Sequence, residues 1–454
     1  MRALTRSRLA GLVGGCLLAA GAGAQEGVSP LETPAPDGSG MYSLYSAPEG
    51  ATFLSWVEPA GDGHALRFSE LQRPGSSEEV TEDAWGEPKP VAEGSGWYVN
   101  WADHPRIALV GENRLAAHYL VRNPEAEGHY GYGLKIVYSM DRGATWREVF
   151  SEGLNHVESY SGFVSFTPEQ GGFSAAYLTP PPGSKDPGDM TLRLARFHEQ
   201  GYQLGNQRLD PDVCACCPTA MATIDGDPAV VYRDRVRNAP EDDVRDIAIT
   251  RKVRGRWEPG RPVHADGWGI NACPVNGPAI AATGSAVAVV WFTMASGEPE
   301  VRFAFSQNGG EGFGTPIRLD GGAGRGYTAV TMLDDGSAVA AWLETPGSGR
   351  GEVRVRRVWP DGLVGPSVKV ADAPAGREAG VLQLVRVANE PPPEPEEDEE
   401  AEDEADEEDE EEAEEEAAEG EDIEEVFDVQ ERLMVAWRDG KVRTALVAVS
   451  ALEF

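Results

Sequence analysis

Seven times along this chain a short apolar run ends on an aromatic residue: FLSW at Trp56, AAHY at Tyr119, SAAY at Tyr177, AVVY at Tyr232, AVVW at Trp291, VAAW at Trp342 and MVAW at Trp437. The intervals are 63, 58, 55, 59, 51 and 95 residues, and the last falls to 56 once a 39-residue acidic tract at 390–428 is set aside. Recurrence at a fixed period of this size marks a repeat architecture. Around most anchors four elements recur: an apolar run, the run ending on the aromatic, an alternating run such as EVRFAFS or TLRLARF, and a short run near a proline, such as TPIRLDG. Period-2 alternation parted by Gly, Pro and Asp reads as antiparallel strands. Four-stranded units in series predict an all-β fold, a β-propeller whose sheets bury both faces against their neighbours. The expectation is seven blades in one domain spanning 25–454, with a six-bladed ring and an irregular terminal sheet as the alternative. The seventh unit lacks a fourth strand, and SPLET at 29–33 has that pattern. It is expected to complete the last blade and so remove an exposed edge.

The ends and the acidic tract fall outside the repeats. MRALTRSR is a basic n-region, residues 9–20 are a short apolar run and Ala22-Gly23-Ala24 is an A-x-A cleavage site, which together predict a signal peptide over 1–24. The product is then exported, periplasmic or extracellular. Cys16 within VGGC offers a lipoprotein box as the alternative, although the apolar run continues past it. No later stretch approaches the roughly 20 apolar residues of a spanning helix, so no membrane span is expected. The tract at 390–428 carries 26 of the 76 acidic residues and no Lys or Arg, so most of the net charge of −37 is local. Charge at that density cannot bury a core, and a disordered insert is expected, solvating or able to engage a basic protein partner. Nucleic acid is excluded as a partner, because binding phosphates needs a basic face.

SMDRGATW at 139–146 matches the Asp-box pattern S-x-D-x-G-x-T-W, and SQNGGEGF at 306–313 is a decayed copy with Asn308, Gly312 and Phe313 in place of Asp, Thr and Trp. Both fall between third and fourth strands. On these boxes and the repeat pattern the chain resembles bacterial sialidase-family (BNR, Asp-box) propellers. It is also similar to exported sialidase-like propellers that carry a Cys-x-Cys-Cys segment followed by CPVNGP, here 214–217 and 273–278. The resemblance implies a ligand face opposite the boxes and, as an alternative function, hydrolysis of sialic acid or a related acidic sugar. That chemistry needs three arginines, a Tyr nucleophile with its Glu partner and an Asp acid/base. Pro105-Arg106-Ile107-Ala108 lies in the second blade rather than the first, and no spacing marks an arginine triad.

In a propeller the loops entering first strands and those joining second to third strands share one face. Here those loops hold Cys214, Cys216, Cys217, Cys273 and Arg325, together with the charged segment YRDRVRNAPEDDVRD that begins at Tyr232. The four cysteines are expected to meet between blades four and five. A structural disulfide with bystander thiols, a redox dithiol, and a thiolate site for a soft ion such as Cu(I) or Zn, with His264 as a further ligand, all remain open. Tyr232, Arg233, Asp234, Arg235, Arg245 and Arg325 are the candidate ligand-binding set, for a small-molecule or glycan ligand held by guanidinium groups. A solvated, salt-bridged loop is the competing reading of the same charges. His104 and His129 read as loop histidines. The leading function is an exported propeller that binds a ligand on this cysteine- and arginine-bearing face.

Overall fold

The computed structural model describes residues 26–47, 50–73, 83–128, 130–184, 186, 188–347, 349–387 and 431–454. The proposed signal peptide, His129 and the acidic tract lie outside them. Seven antiparallel sheets follow one another along the chain, at 40–94, 107–152, 162–210, 220–262, 279–318, 324–373 and 383–448. Within each sheet the strands pair in sequence order, and each first strand touches the first strand of the blades on either side. The contacts run from blade 1 to blade 7 and back to blade 1, so the ring is closed. Among the described residues no helix is long and apolar enough to cross a membrane.

Blade 7 takes its fourth strand from the other end of the chain. Val28–Leu31 pairs antiparallel with Lys441–Ala448, Val28 opposite Val447 and Leu31 opposite Thr444. The Thr33 hydroxyl donates to the Val442 carbonyl at 2.8 Å, extending the seam. Blades 1 and 4 have a fourth strand split in two, Ala84–Trp85 with Lys89–Gly94 and Arg256–Trp257 with Arg261–Pro262. Pro88 and Pro259 stand at the breaks, where a residue without an N–H cannot continue the ladder.

The strand-end aromatics explain why the unit repeats. Trp56, Tyr177, Tyr232, Trp291, Trp342 and Trp437 are buried between blades, and half-buried Tyr119 stacks on Trp97 at 4.6 Å. Three of the indole N–H groups are capped: Trp56 donates to Glu58, Trp342 to Glu344 and Trp291 to Asp266, at 2.7, 3.0 and 2.7 Å. A buried ring of this size removes roughly 150–250 Å² from water, about 4–6 kcal/mol at about 25 cal/mol per Å². The apolar core is accordingly a circle of inter-blade clusters around a channel, not one central mass.

Both Asp-box segments form the same turn. In the first, Asp141 accepts from the Ser139 hydroxyl, the Thr145 N–H and the Thr145 hydroxyl at 2.8, 2.8 and 2.6 Å, which holds its carboxyl down at about 2. Asn308 keeps the equivalents from Ser306 and the Gly312 N–H at 2.7 and 3.0 Å and loses the hydroxyl bond with the threonine.

Candidate functional site

The opposite face is shaped by a clasp used twice. In Gly162-Phe163 of blade 3 and Gly326-Tyr327 of blade 6 the second residue has a left-handed φ, 54° in both cases. Each offers its N–H to a side chain from the preceding blade: Phe163 to Asp103 at 2.7 Å, Tyr327 to Asn276 at 2.8 Å. The glycines are required, since a Cβ would lie 2.0 Å from Asp103 Oδ2 or 2.2 Å from Asn276 Oδ1. Asn276 also donates to the Arg325 carbonyl at 2.8 Å, so it ties the loop that carries Cys273 to blade 6. Asp103 accepts from the Tyr132 hydroxyl at 3.0 Å as well, and burial pushes its carboxyl up to about 7.

The thiols occupy the loop between Gln203–Asp210 and Ala220–Ile224. It is held on several sides: Val213 N–H donates to Met190, Cys214 N–H to the Arg233 carbonyl, and the Tyr160 hydroxyl to the Ala215 carbonyl. The Cys273 loop lies directly on it, because a Cβ at Gly277 would fall 2.3 Å from the Pro218 carbonyl oxygen. Cys214 Sγ stands 3.7 Å from Cys216 Sγ and 3.6 Å from Cys217 Sγ, and all three sulfurs lie within 4.8 Å of one another. All four cysteines are free thiols; Cys214 and Cys217 are buried, Cys216 half-buried and Cys273 exposed. The separations exceed a disulfide bond of about 2.05 Å. They match the ~3.8 Å between sulfurs that each bind one ion at about 2.3 Å in tetrahedral geometry.

The charges around the cluster are unusual. Hydrogen bonds from the Cys216 and Cys217 thiols, helped by Arg245 and opposed by burial, hold the Cys214 thiol well below the ordinary range. Donation to Cys214 raises Cys216, and burial pushes Cys217 up to about 12. The Cys216 thiol and Arg245 bring exposed Cys273 down to about 7, against its partial burial. Arg245 Nη1 lies 3.5 Å from Cys214 Sγ and donates to the Ala272 carbonyl at 3.1 Å. Arg233 is almost fully buried, with its guanidinium 4.9 Å from the Trp268 ring centre. It gives every contact to backbone: Asn276 O at 3.2 and 2.9 Å, Phe292 O at 2.8 Å and Arg245 O at 2.7 Å. Among the described residues neither arginine meets a carboxylate. Two guanidinium charges without carboxylate partners thus flank a cluster of potential thiolates.

The other candidates divide. Tyr232 is buried and donates to Asp210 at 2.7 Å, and Arg233 is buried as above, so both face the protein interior and not an open ligand surface, contrary to the expectation. Blades cover both sides of a strand, which explains why successive residues 232 and 233 are both enclosed. Arg235 pairs with Asp243 at 2.8 Å, and neighbouring Arg237 with Asp189 and Asp212 at 2.6 Å each, a salt-bridged loop. Asp234 lies among Asp210, Asp212 and Asp246, and burial raises its carboxyl to about 6. His264 is outside the sulfur group; its Nδ1 is 2.7 Å from Asp266, which also binds Arg302 and Trp291. Arg325 is exposed, with no ion pair among the described residues. His104 lies in the loop before Ile107–Gly111, as expected, but is buried there, and burial with Arg106 nearby holds it down at about 3. Asn276, Asp103 and Tyr160 were not singled out by sequence reasoning; the Asn-Gly pair within CPVNGP was the one available signal.

No protein-family model matches the chain, and no curated protein matches it significantly. Among solved structures it is similar to a protein of unknown function from Dyadobacter fermentans, at 12% identity over 93% of this chain and 100% of that one, TM-score 0.48. It is also similar to a leech intramolecular trans-sialidase, at 11% identity over 92% and 69%, TM-score 0.42. A third likeness is to an α-L-arabinofuranosidase from Fusarium graminearum, at 10% identity over 73% and 98%, TM-score 0.47.

Proposed function

We propose that this propeller is an exported binding protein for a soft metal ion, Cu(I) or Zn, held by cysteine thiolates on the rim between blades 4 and 5. The observation that carries the reading is three unbonded sulfurs gathered within 4.8 Å of one another. Soft thiolate donors select ions of this class. The charge supports it: three thiolates around Cu(I), or four around Zn2+, leave two surplus negative charges, and Arg233 and Arg245 supply two positive ones that form no salt bridge with a carboxylate among the described residues. Cys214 begins as the most acidic of the thiols, and loading releases protons from the rest. The test is to reduce the protein anaerobically, load it, desalt it and measure bound metal. One equivalent is expected, lost in Cys214→Ser and Cys217→Ser. Protein that retains no metal while all four thiols react freely refutes the reading.

A second reading, binding or hydrolysis of an acidic glycan, rests on a separate observation. Arg325 and Arg377 are exposed beside the edge-on pair Trp101 and Tyr327, whose ring centres are 5.3 Å apart, and Arg377 lies 5.6 Å from the Trp101 ring. An aromatic wall with exposed guanidinium groups suits a sugar carboxylate. Turnover of a fluorogenic sialoside or uronide that falls in Arg377→Met and Arg325→Met supports it; no turnover and no binding across such substrates ends it.

A further inference from the structure

The four cysteines are not equivalent, and their difference carries a division of labour. Cys214, Cys216 and Cys217 form the mutually close group, and Cys273 is outside it, in hydrogen-bond contact with Cys216 and Arg245. Exposure rises along the same line: Cys214 and Cys217 are buried, Cys216 is half-buried and Cys273 is exposed. Its loop is not loose. Arg245 fixes the Ala272 carbonyl at 3.1 Å, Arg233 fixes the Asn276 carbonyl, Asn271 donates to Asp242 at 2.6 Å, and Gly277 rests on Pro218. An exposed thiol is therefore held in a fixed place beside the three-thiol group, whose Cys214 and Cys217 are buried.

Resting on the soft-metal reading above, we infer that the ion is Cu(I) delivered by a thiolate-bearing donor, and that Cys273 is the capture ligand which passes it to the three buried sulfurs. Three thiolates satisfy Cu(I) and already give the two surplus negative charges that Arg233 and Arg245 balance, so a fourth permanent ligand is not needed. Zn2+ would require Cys273 to reach that charge, and a structural zinc site is closed by four ligands. Buried Cys214 and Cys217 cannot meet a donor directly, whereas Cys273 can. In the first step the Cys273 sulfur bonds the donor-held Cu(I) as one donor Cu–S bond breaks, and the Cys273 proton passes to water. As Cys216 forms its Cu–S bond the donor's last Cu–S bond breaks and the donor leaves as free thiolate; Cys214 and Cys217 then bond in turn, each thiol still protonated releasing its proton. The Cu–S273 bond breaks last and leaves that sulfur free to take up a proton again. Copper stays in the +1 state throughout.

The experiment follows anaerobic transfer from a coloured Cu(I)–bicinchoninate complex and from Cu(I)–glutathione, in a stopped-flow instrument, for the reduced full-length protein and Cys273→Ser. Uptake from Cu(I)–glutathione at least about tenfold slower in Cys273→Ser, with one equivalent still bound and the equilibrium affinity within about threefold, supports the inference. An affinity loss of a hundredfold or more in Cys273→Ser makes Cys273 a permanent fourth ligand and overturns it. Unchanged rate and affinity also overturn it. Wild-type protein that takes up no Cu(I) but retains Zn defeats this inference and leaves the soft-metal reading standing, and failure with both ions defeats the two together. Cys214→Ser, expected to lower affinity itself, separates loss of the pocket from loss of the capture step.

Discussion

Replacing Asn276 by alanine tests the clasp that positions the Cys273 loop. The side chain is buried; Oδ1 accepts the N–H of left-handed Tyr327 and Nδ2 donates to the Arg325 carbonyl, both at 2.8 Å. Truncation strands one donor, the Tyr327 N–H, and one acceptor, the Arg325 carbonyl. Each costs about 1–3 kcal/mol, so the loss should be about 2–6 kcal/mol. The Asn276 backbone carbonyl remains, so the Arg233 contacts survive and the effect belongs to the side chain. Urea unfolding followed by tryptophan fluorescence provides the measure. With a slope of about 3 kcal/mol per M, the midpoint should fall by about 1 M. A fall smaller than about 0.3 M at unchanged slope would mean that the two bonds contribute little, and the argument that the clasp orders this rim would be refuted.

Asp103 predicts a pH dependence. Its folded-state value of about 7 lies above the usual carboxylate range, so the folded protein binds the proton more tightly and this group's penalty develops as pH rises from about 4 to about 7. Tyr132 and the Phe163 N–H donate to it and Arg106 is the nearby charge. Asp103→Asn should raise the unfolding midpoint at pH 8 and leave it nearly unchanged at pH 4; an equal change at both overturns this. Gly277→Ala forces a Cβ to within 2.3 Å of Pro218 O, so Cu(I) affinity should drop about tenfold or more, read by competition with a chelator, with the circular dichroism spectrum preserved. Arg245→Leu removes the guanidinium beside Cys214 and Cys273, and the pH midpoint for thiol alkylation should move upward; no movement refutes the assigned influence.

The architecture was legible because the aromatics are set by geometry that repeats: each strand-end ring enters a gap between blades, and the spacing survives even where the Asp box decays at 306–313. The closing strand was legible for the same reason, since an unfinished seventh unit and a spare strand pattern at 29–33 answer one another. The loop rule led to the expectation that all four cysteines meet; Cys214, Cys216 and Cys217 do come together, and Cys273 lies outside that group. What eluded sequence was the direction of charged side chains. Arg233 follows Tyr232 in a strand and reads as surface charge, yet it spends its donors on three backbone carbonyls because a neighbouring blade covers it. Asn276 acts across 49 and 51 residues, and no local pattern reveals bonds to Arg325 and Tyr327.

The seam in blade 7 also sets an order of events. Val28 cannot find Val447 until nearly the whole polypeptide exists, so the earliest strand must wait with its N–H and C=O groups unpaired while six other sheets assemble. Closing that span is the contact with the greatest sequence separation among the strand pairs, and such long-range pairings come slowly. The wheel is therefore latched last, and until then it is an open arc with one sheet edge bare at each end: a late intermediate that a protease or a complementary β-strand peptide should trap before the completed ring shuts it out.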